Sequence, residues 1–231
     1  MTNTLHRFQK PDDPRDDYIV FTRVTKGVND IGATGKGVKF LQAALKYNPV
    51  NVKVHSGLGQ MYRPEKTLNP FTLYVRGRRE TASFEQLLEE MDQSDGQVLV
   101  VFDNMPAVEG FLKEVKALDL GLSVNVSCPV DDLYEMAPRT GMLPHSINYA
   151  MGFRGDRYRL PERAVLELTS LCGHGLIANS FAAKMISMVK EQRVTPEKAA
   201  GYLSKFCVCG AFNTTRAVRI LNQAVYKTKP E

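Results

Sequence analysis

The sequence predicts an α/β protein, with a mostly parallel sheet, covering helices and a helical C-terminal third. Three observations carry that expectation. Strand-like and helix-like segments alternate through residue 158. The run Val98 to Phe102 is apolar without interruption, as in strands buried on both faces of a parallel sheet. Beyond it, from residue 159 on, apolar residues recur at helical spacing only.

The elements follow in order. Residues 1–16 are polar, rich in charge and proline, and read as an arm. Tyr18 to Val24 is β-branched and aromatic, hence a strand. A glycine-rich segment, Gly27 to Gly37, leads into a helix striped by Val38, Leu41, Ala44 and Leu45. Asn51 to His55 reads as a short strand, and the alternation of Phe71, Leu73 and Val75 as another. Ser83 and Gln86 form a capping box ahead of the stripe Phe84, Leu87, Leu88, Met91. Val108, Phe111, Leu112 and Val115 stripe the next helix, and Leu122, Val124 and Val126 the next strand. A short helix covers Val130 to Met136, and Ser146 to Ala150 is read as one more strand. Helices then follow from Pro161, around Ile177 to Met188, after the cap pair Thr195-Pro196, and from Thr214 or Thr215. The expected organisation is an arm (1–16), an α/β domain (17–158) and a helical subdomain (159–231) that carries the cysteine motifs.

At 231 residues and 43% hydrophobic, the chain can bury a full core. The net charge of +5 is mild and dispersed, with tight groups only at Arg76, Arg78, Arg79 and at Arg154, Arg157, Arg159. It suits a small anionic substrate. No RRM, KH or zinc-finger pattern appears and tryptophan is absent, so nucleic acid is not the expected partner. No apolar stretch has the length of a membrane span, and the first residues lack a signal-peptide core. No repeat of fixed period stands out. The expected location is the cytoplasm, where the four cysteines are reduced and metal binding or catalysis is favoured over disulfides.

Two cysteine motifs dominate the C-terminal third: Cys172-Gly173-His174-Gly175 and Cys207-Val208-Cys209-Gly210. Each lies between two expected helices. Gly173 and Gly210 would let the backbone wrap a cofactor. Cys172 is expected just before a helix starting near Leu176, where the positive end of the helix dipole favours thiolate. Cys128 follows the strand Leu122–Ser127, at the edge where parallel sheets bind ligands. Cys172, Cys207 and Cys209, with Cys128 or His174, make a metal set. Thiolates suit zinc or iron–sulfur clusters. The Cys-x-Cys pair departs from the usual structural-zinc spacing, so a 4Fe–4S cluster is the expected cofactor and zinc the alternative.

Asp103 closes the strand Val98–Phe102, where it would move a proton or cap the next helix. Arg216 follows the cysteine pair, where it would hold an anion or meet a surface carboxylate. The resulting expectation is an iron–sulfur enzyme whose centre lies where sheet and helices meet. Cys172, Cys207, Cys209 and Cys128 are its metal residues; Asp103, His174 and Arg216 are its catalytic ones. It would act on a small anionic substrate in a lyase, sulfur-transfer or redox step, the last needing an electron donor. Two alternatives stand beside it. One is a non-enzymatic binding module with structural zinc or packed cysteines. The other is a phosphate- or nucleotide-binding enzyme using loop 27–37, although that loop matches neither the Walker A nor the dinucleotide pattern.

Overall fold

The computed structural model describes residues 7, 13–56, 94–149, 155–207 and 210–226. The chain divides into two compact units: Arg15–His145, and Met1–Pro14 together with Ser146–Glu231.

The first unit is built on β1 (Tyr18–Arg23), α1 (Ala33–Leu45), β2 (Asn51–Ser56), β3 (Ser94–Phe102), α2 (Met105–Leu118), β4 (Ser123–Ser127) and α3 (Val130–Thr140). The sheet order is β2-β3-β1-β4. Every hydrogen-bonded pair is antiparallel: β1 with β3, β1 with β4, and β2 with β3. The expected mostly parallel sheet is therefore wrong. Helical crossovers do make β1 and β2 run the same way, and likewise β3 and β4. However, β3 lies between the first two and β1 between the second two, so parallel strands never become neighbours. This interleaving of two β-α-β units is the ferredoxin-like connectivity, a statement about chain path and not about a cofactor.

Val98, Val100 and Phe102 of β3 and Tyr18 and Val20 of β1 face a core completed by Phe40 and Leu41 of α1 and by Phe111 of α2. Phe111 is the hub: its ring meets Phe40 edge-on at 4.9 Å and Phe102 at 5.4 Å. Gly96 in β3 holds φ +81°, and a Cβ there would collide with the Ala33 carbonyl at the start of α1. The strand and the helix approach closely because that residue is glycine. At the other end of β1, the buried Tyr18 hydroxyl donates to Asp132 Oδ2 at 2.7 Å and ties the strand to α3. Burial first, then that bond, holds the Tyr18 phenol protonated far above its ordinary range. Arg15 Nε lies 3.1 Å from Asp132 Oδ1 but off the axis of a hydrogen bond, so that contact is electrostatic.

The second unit contains α4 (Arg163–Ser170), α5 (Asn179–Lys190), α6 (Pro196–Ser204) and α7 (Thr214–Tyr226). Thr195 caps α6, its Oγ1 accepting from Lys198 N, and Asn213 caps α7, its Oδ1 accepting from Arg216 N at 2.9 Å. The N-terminal residues belong here: Asp13 pairs with Arg163, which also holds Glu167. Residues 146–149 form no strand. The expected strand at Phe71–Val75, the capping box and helix at 83–91, Arg76, Arg78, Arg79 and Arg154 lie outside the described residues.

These four helices are a tandem repeat. The spacing Pro161, Cys172, Gly175, Asn179 recurs without insertion or deletion as Pro196, Cys207, Gly210, Thr214. The same offset carries Glu162 onto Glu197, Leu168 onto Leu203 and Ala182 onto Ala217. Leu168, Leu203, Ala182 and Ala217 are all fully buried. Packing has the matching symmetry. Within each copy α4 packs on α5 and α6 on α7; across copies α4 packs on α7, α5 on α6, and α5 on α7. Exchanging the two copies maps this set of contacts onto itself.

Two substitutions test the sheet unit. Gly96→Ala is expected to cost about 2 kcal/mol or more, through the strained backbone and the clash with Ala33 together. Tyr18→Phe is expected to cost about 1–3 kcal/mol by leaving Asp132 short of a buried partner. Urea unfolding monitored by circular dichroism reads both, and wild-type midpoints in either variant would contradict the assignment.

Candidate functional site

The glycine loop after β1 closes on itself. Thr25 N donates to Asn29 Oδ1 at 2.7 Å, and Gly27 N donates to Asp30 Oδ1 at 3.0 Å. Val28 N and Asn29 N both donate to the Thr25 carbonyl. Asn29 Nδ2 in turn holds the Arg23 carbonyl. The N–H groups of Gly27, Val28 and Asn29 are thus engaged within the loop, that of Gly27 by a carboxylate. The tip presents Val28 and Ile31 to solvent, the latter 88% exposed.

Asp103 is half-buried at the end of β3 and accepts from Asn104 Nδ2 at 2.9 Å. The cap of α2 is Asn104, whose Oδ1 accepts from Ala107 N. Cys128 follows β4 and packs against the sheet-unit core. Burial, and secondarily Asp132, pushes its thiol up to about 12, so it is a neutral thiol near neutral pH. The reasoning that set Asp103 and Cys128 at a ligand-binding edge assumed a parallel sheet. In this antiparallel sheet it has no basis.

Cys172 and Cys207 belong to the helical unit, are thiols, and are each 2% exposed. The repeat gives them matched surroundings. Cys172 N donates to the Thr169 carbonyl at 3.2 Å, and Cys207 N to the Ser204 carbonyl at 3.0 Å. Gly175 N donates to the Cys172 carbonyl at 3.0 Å, and Gly210 N to the Cys207 carbonyl at 3.3 Å. Gly175 and Gly210 both hold left-handed backbone, φ +66° and +71°. The glycine that closes the first turn is therefore Gly175. Gly173, half-buried, stands where the second copy has Val208, so its position does not require glycine. Cys209 lies outside the described residues; in the sequence it corresponds to His174.

The helix-dipole expectation for Cys172 is reversed. It sits just past the C-terminal end of α4, and α5 does not begin until Asn179. Cys207 likewise follows the end of α6. Helix C-termini favour cations, so these turns favour a bound cation over a bare thiolate nucleophile. His174 is exposed. With Thr169, Ser170, Cys172 and Asn179 it lines an open cleft of about 380 Å³.

A residue the sequence reading passed over joins the two turns. Arg7 Nη1 donates to the Leu171 carbonyl and to the Ala211 carbonyl, each at 2.8 Å. One nitrogen thus holds the residue before Cys172 and the residue after Gly210 within two hydrogen-bond lengths of each other. Arg216, the largest fully buried side chain described, lies in the same unit at 0% exposure. That burial removes the surface-carboxylate alternative for it. Comparing the C-terminal third with itself would have exposed the repeat and Gly175. No local pattern distinguishes Arg7 from other arginines.

Among the described residues, no three His, Cys, Asp or Glu side chains are grouped so as to hold a metal ion. Nor, among them, is any helix long and apolar enough to cross a membrane. No protein family, curated protein or solved structure matches the chain.

Cys128 provides a direct check. Native protein treated with iodoacetamide near pH 8 is expected to alkylate Cys128 about a thousandfold more slowly than unfolded chain, by its shift from 9.0 to about 12. The same shift stabilises the fold below about pH 9, and that contribution is lost as pH rises through about 12. Peptide mapping that shows equal native and unfolded rates would refute the burial.

Proposed function

We propose that the helical unit holds a thiolate-ligated metal centre, a 4Fe–4S cluster carried by Cys172, Cys207 and Cys209, and that the protein is an enzyme acting on a small anionic substrate there. The observation that supports this most is the duplicated turn. Two Cys-x-x-Gly turns have the same hydrogen bonds and the same left-handed glycine, and the carbonyls of a residue flanking each, Leu171 and Ala211, accept from one guanidinium.

The donor types suit the group: thiolates, with an imidazole two residues from Cys172 in the sequence, are ligands for iron–sulfur chemistry or zinc. Cys209, the third thiolate, lies outside the described residues, and among those no three donors are grouped to hold a metal. The one-residue spacing in Cys207-Val208-Cys209 favours the cluster, because structural zinc usually takes pairs two to four residues apart. The guanidinium of Arg7 places positive charge beside the turns, which offsets the negative charge of ligating thiolates. His174, exposed and lining the cleft, stands where the second copy of the repeat has Cys209 and is the residue we assign to the substrate. When bound, the cluster supplies a Lewis-acidic iron toward a substrate oxygen. His174 then orients the substrate and exchanges a proton with it.

Metal and acid-labile sulfide analysis of anaerobically purified protein tests the reading. About four iron and four sulfide per chain are expected. Cys172→Ala and Cys207→Ala should each reduce iron to below about a tenth of that while leaving the helical circular dichroism intact. Full loading in both variants, or a chain that takes up neither iron nor sulfide on anaerobic reconstitution, overturns it. Stoichiometric zinc without sulfide would replace the cluster by a zinc site on the same ligands.

A further inference from the structure

We propose that Arg7 is a positioning residue for this centre: its guanidinium clasps the two cysteine turns together, so the N-terminal segment sets whether they can share one ligand. The inference rests on the two-turn reading above, but not on which metal is bound. Arg7 Nη1 reaches the Leu171 and Ala211 carbonyls at 2.8 Å each, across 164 and 204 residues of chain. Both carbonyls flank the cysteine turns directly, one just before Cys172 and one just after Gly210. Each bond is from a charged donor, the stronger class of hydrogen bond. The approach of the segment is anchored a second time, where Asp13 pairs with Arg163 on α4.

Arg7 and Asp13 thus both bond to residues of the helical unit. Helix packing joins the two copies of the repeat through α4 on α7, α5 on α6 and α5 on α7, whereas the turns lie beyond the ends of α4 and α6. Arg7 adds a bond at the turns themselves. Loss of that bond should let the turns separate while the helices stay packed.

The probe is phenylarsine oxide, which joins two neighbouring thiols. Its oxygen leaves as water with the two thiol protons, two S–As bonds form, and arsenic stays trivalent. In metal-free full-length protein carrying Cys128→Ser and Cys209→Ser, only Cys172 and Cys207 remain to react. The parent with Arg7 is expected to retain one arsenical per chain against a monothiol competitor. Arg7→Ala should need about tenfold less competitor for release, the loss expected for charged hydrogen bonds to two carbonyls. Arg7→Gln, which keeps a donor but removes the charge and shortens the reach, should fall between them. Circular dichroism and melting curves confirm that each variant is folded. If Arg7→Ala proves unfolded, Arg7→Gln decides, and retention equal to the parent overturns the proposal.

The outcomes separate the two ideas. Bridging in the parent with no loss in either variant refutes the clasp and leaves the metal reading standing. Bridging that depends on Arg7, in a protein that takes up neither iron nor zinc, supports the clasp and refutes the metal. Failure of the parent to bridge overturns the clasp and leaves the metal reading to the iron and sulfide analysis.

Discussion

A backbone hydrogen bond from a left-handed glycine to a cysteine carbonyl, made twice, organises the helical unit. Gly175 gives it to Cys172 and Gly210 to Cys207. A residue with a Cβ holds that backbone conformation at a cost, so glycine fixes where the chain reverses after α4 and after α6. The reversal decides the direction of α5 and α7, and with it the cross-packing of α4 on α7 and α5 on α6. It also holds each cysteine at the first position of a tight turn, at the negative end of a helix. The repeat therefore specifies both the packing of the unit and the environment of its thiols.

That environment discriminates between kinds of cysteine chemistry. A metal-free nucleophile gains from the N-terminal end of a helix and from access to solvent. Cys172 and Cys207 have the opposite on both counts: helix C-termini and nearly complete burial. Ligation tolerates both, because a bound cation compensates the thiolate and needs no open path around every ligand. Cys128, in the other unit, shows what burial without such compensation does: its thiol is pushed up to about 12. The sheet unit meanwhile spends its polar groups on structure, with Asn29 and Asp30 closing the glycine loop and Tyr18 bonding Asp132.

The strand and helix segments were legible in the sequence where their period was clean, because side-chain periodicity reports local conformation directly. β1, α1, β2, β3, α2 and β4 stand close to where alternation and striping put them. So does the Thr195-Pro196 cap, whose chemistry is confined to a few neighbouring residues. The position of Cys172 and Cys207 between helices was visible too, although adjacency to the cysteine pointed to Gly173 where the turn uses Gly175.

What the sequence by itself determined was the type of the strongly periodic elements; it also holds the constant spacing of Pro161, Cys172 and Gly175 onto Pro196, Cys207 and Gly210, a repeat that the search for a fixed period missed and that the helices made plain. Tertiary structure alone decided which strands are neighbours. An alternating chain sets strand direction, but whether another strand slips between two parallel ones is chosen by long-range packing around Phe111. It alone decided that the dipole at Cys172 has the opposite sign to the one expected, since a helix start moved from Leu176 to Asn179 leaves the thiol with α4. And it alone joined Arg7 to Leu171 and Ala211, because a guanidinium finds carbonyls by distance in space, which separation along the chain does not encode.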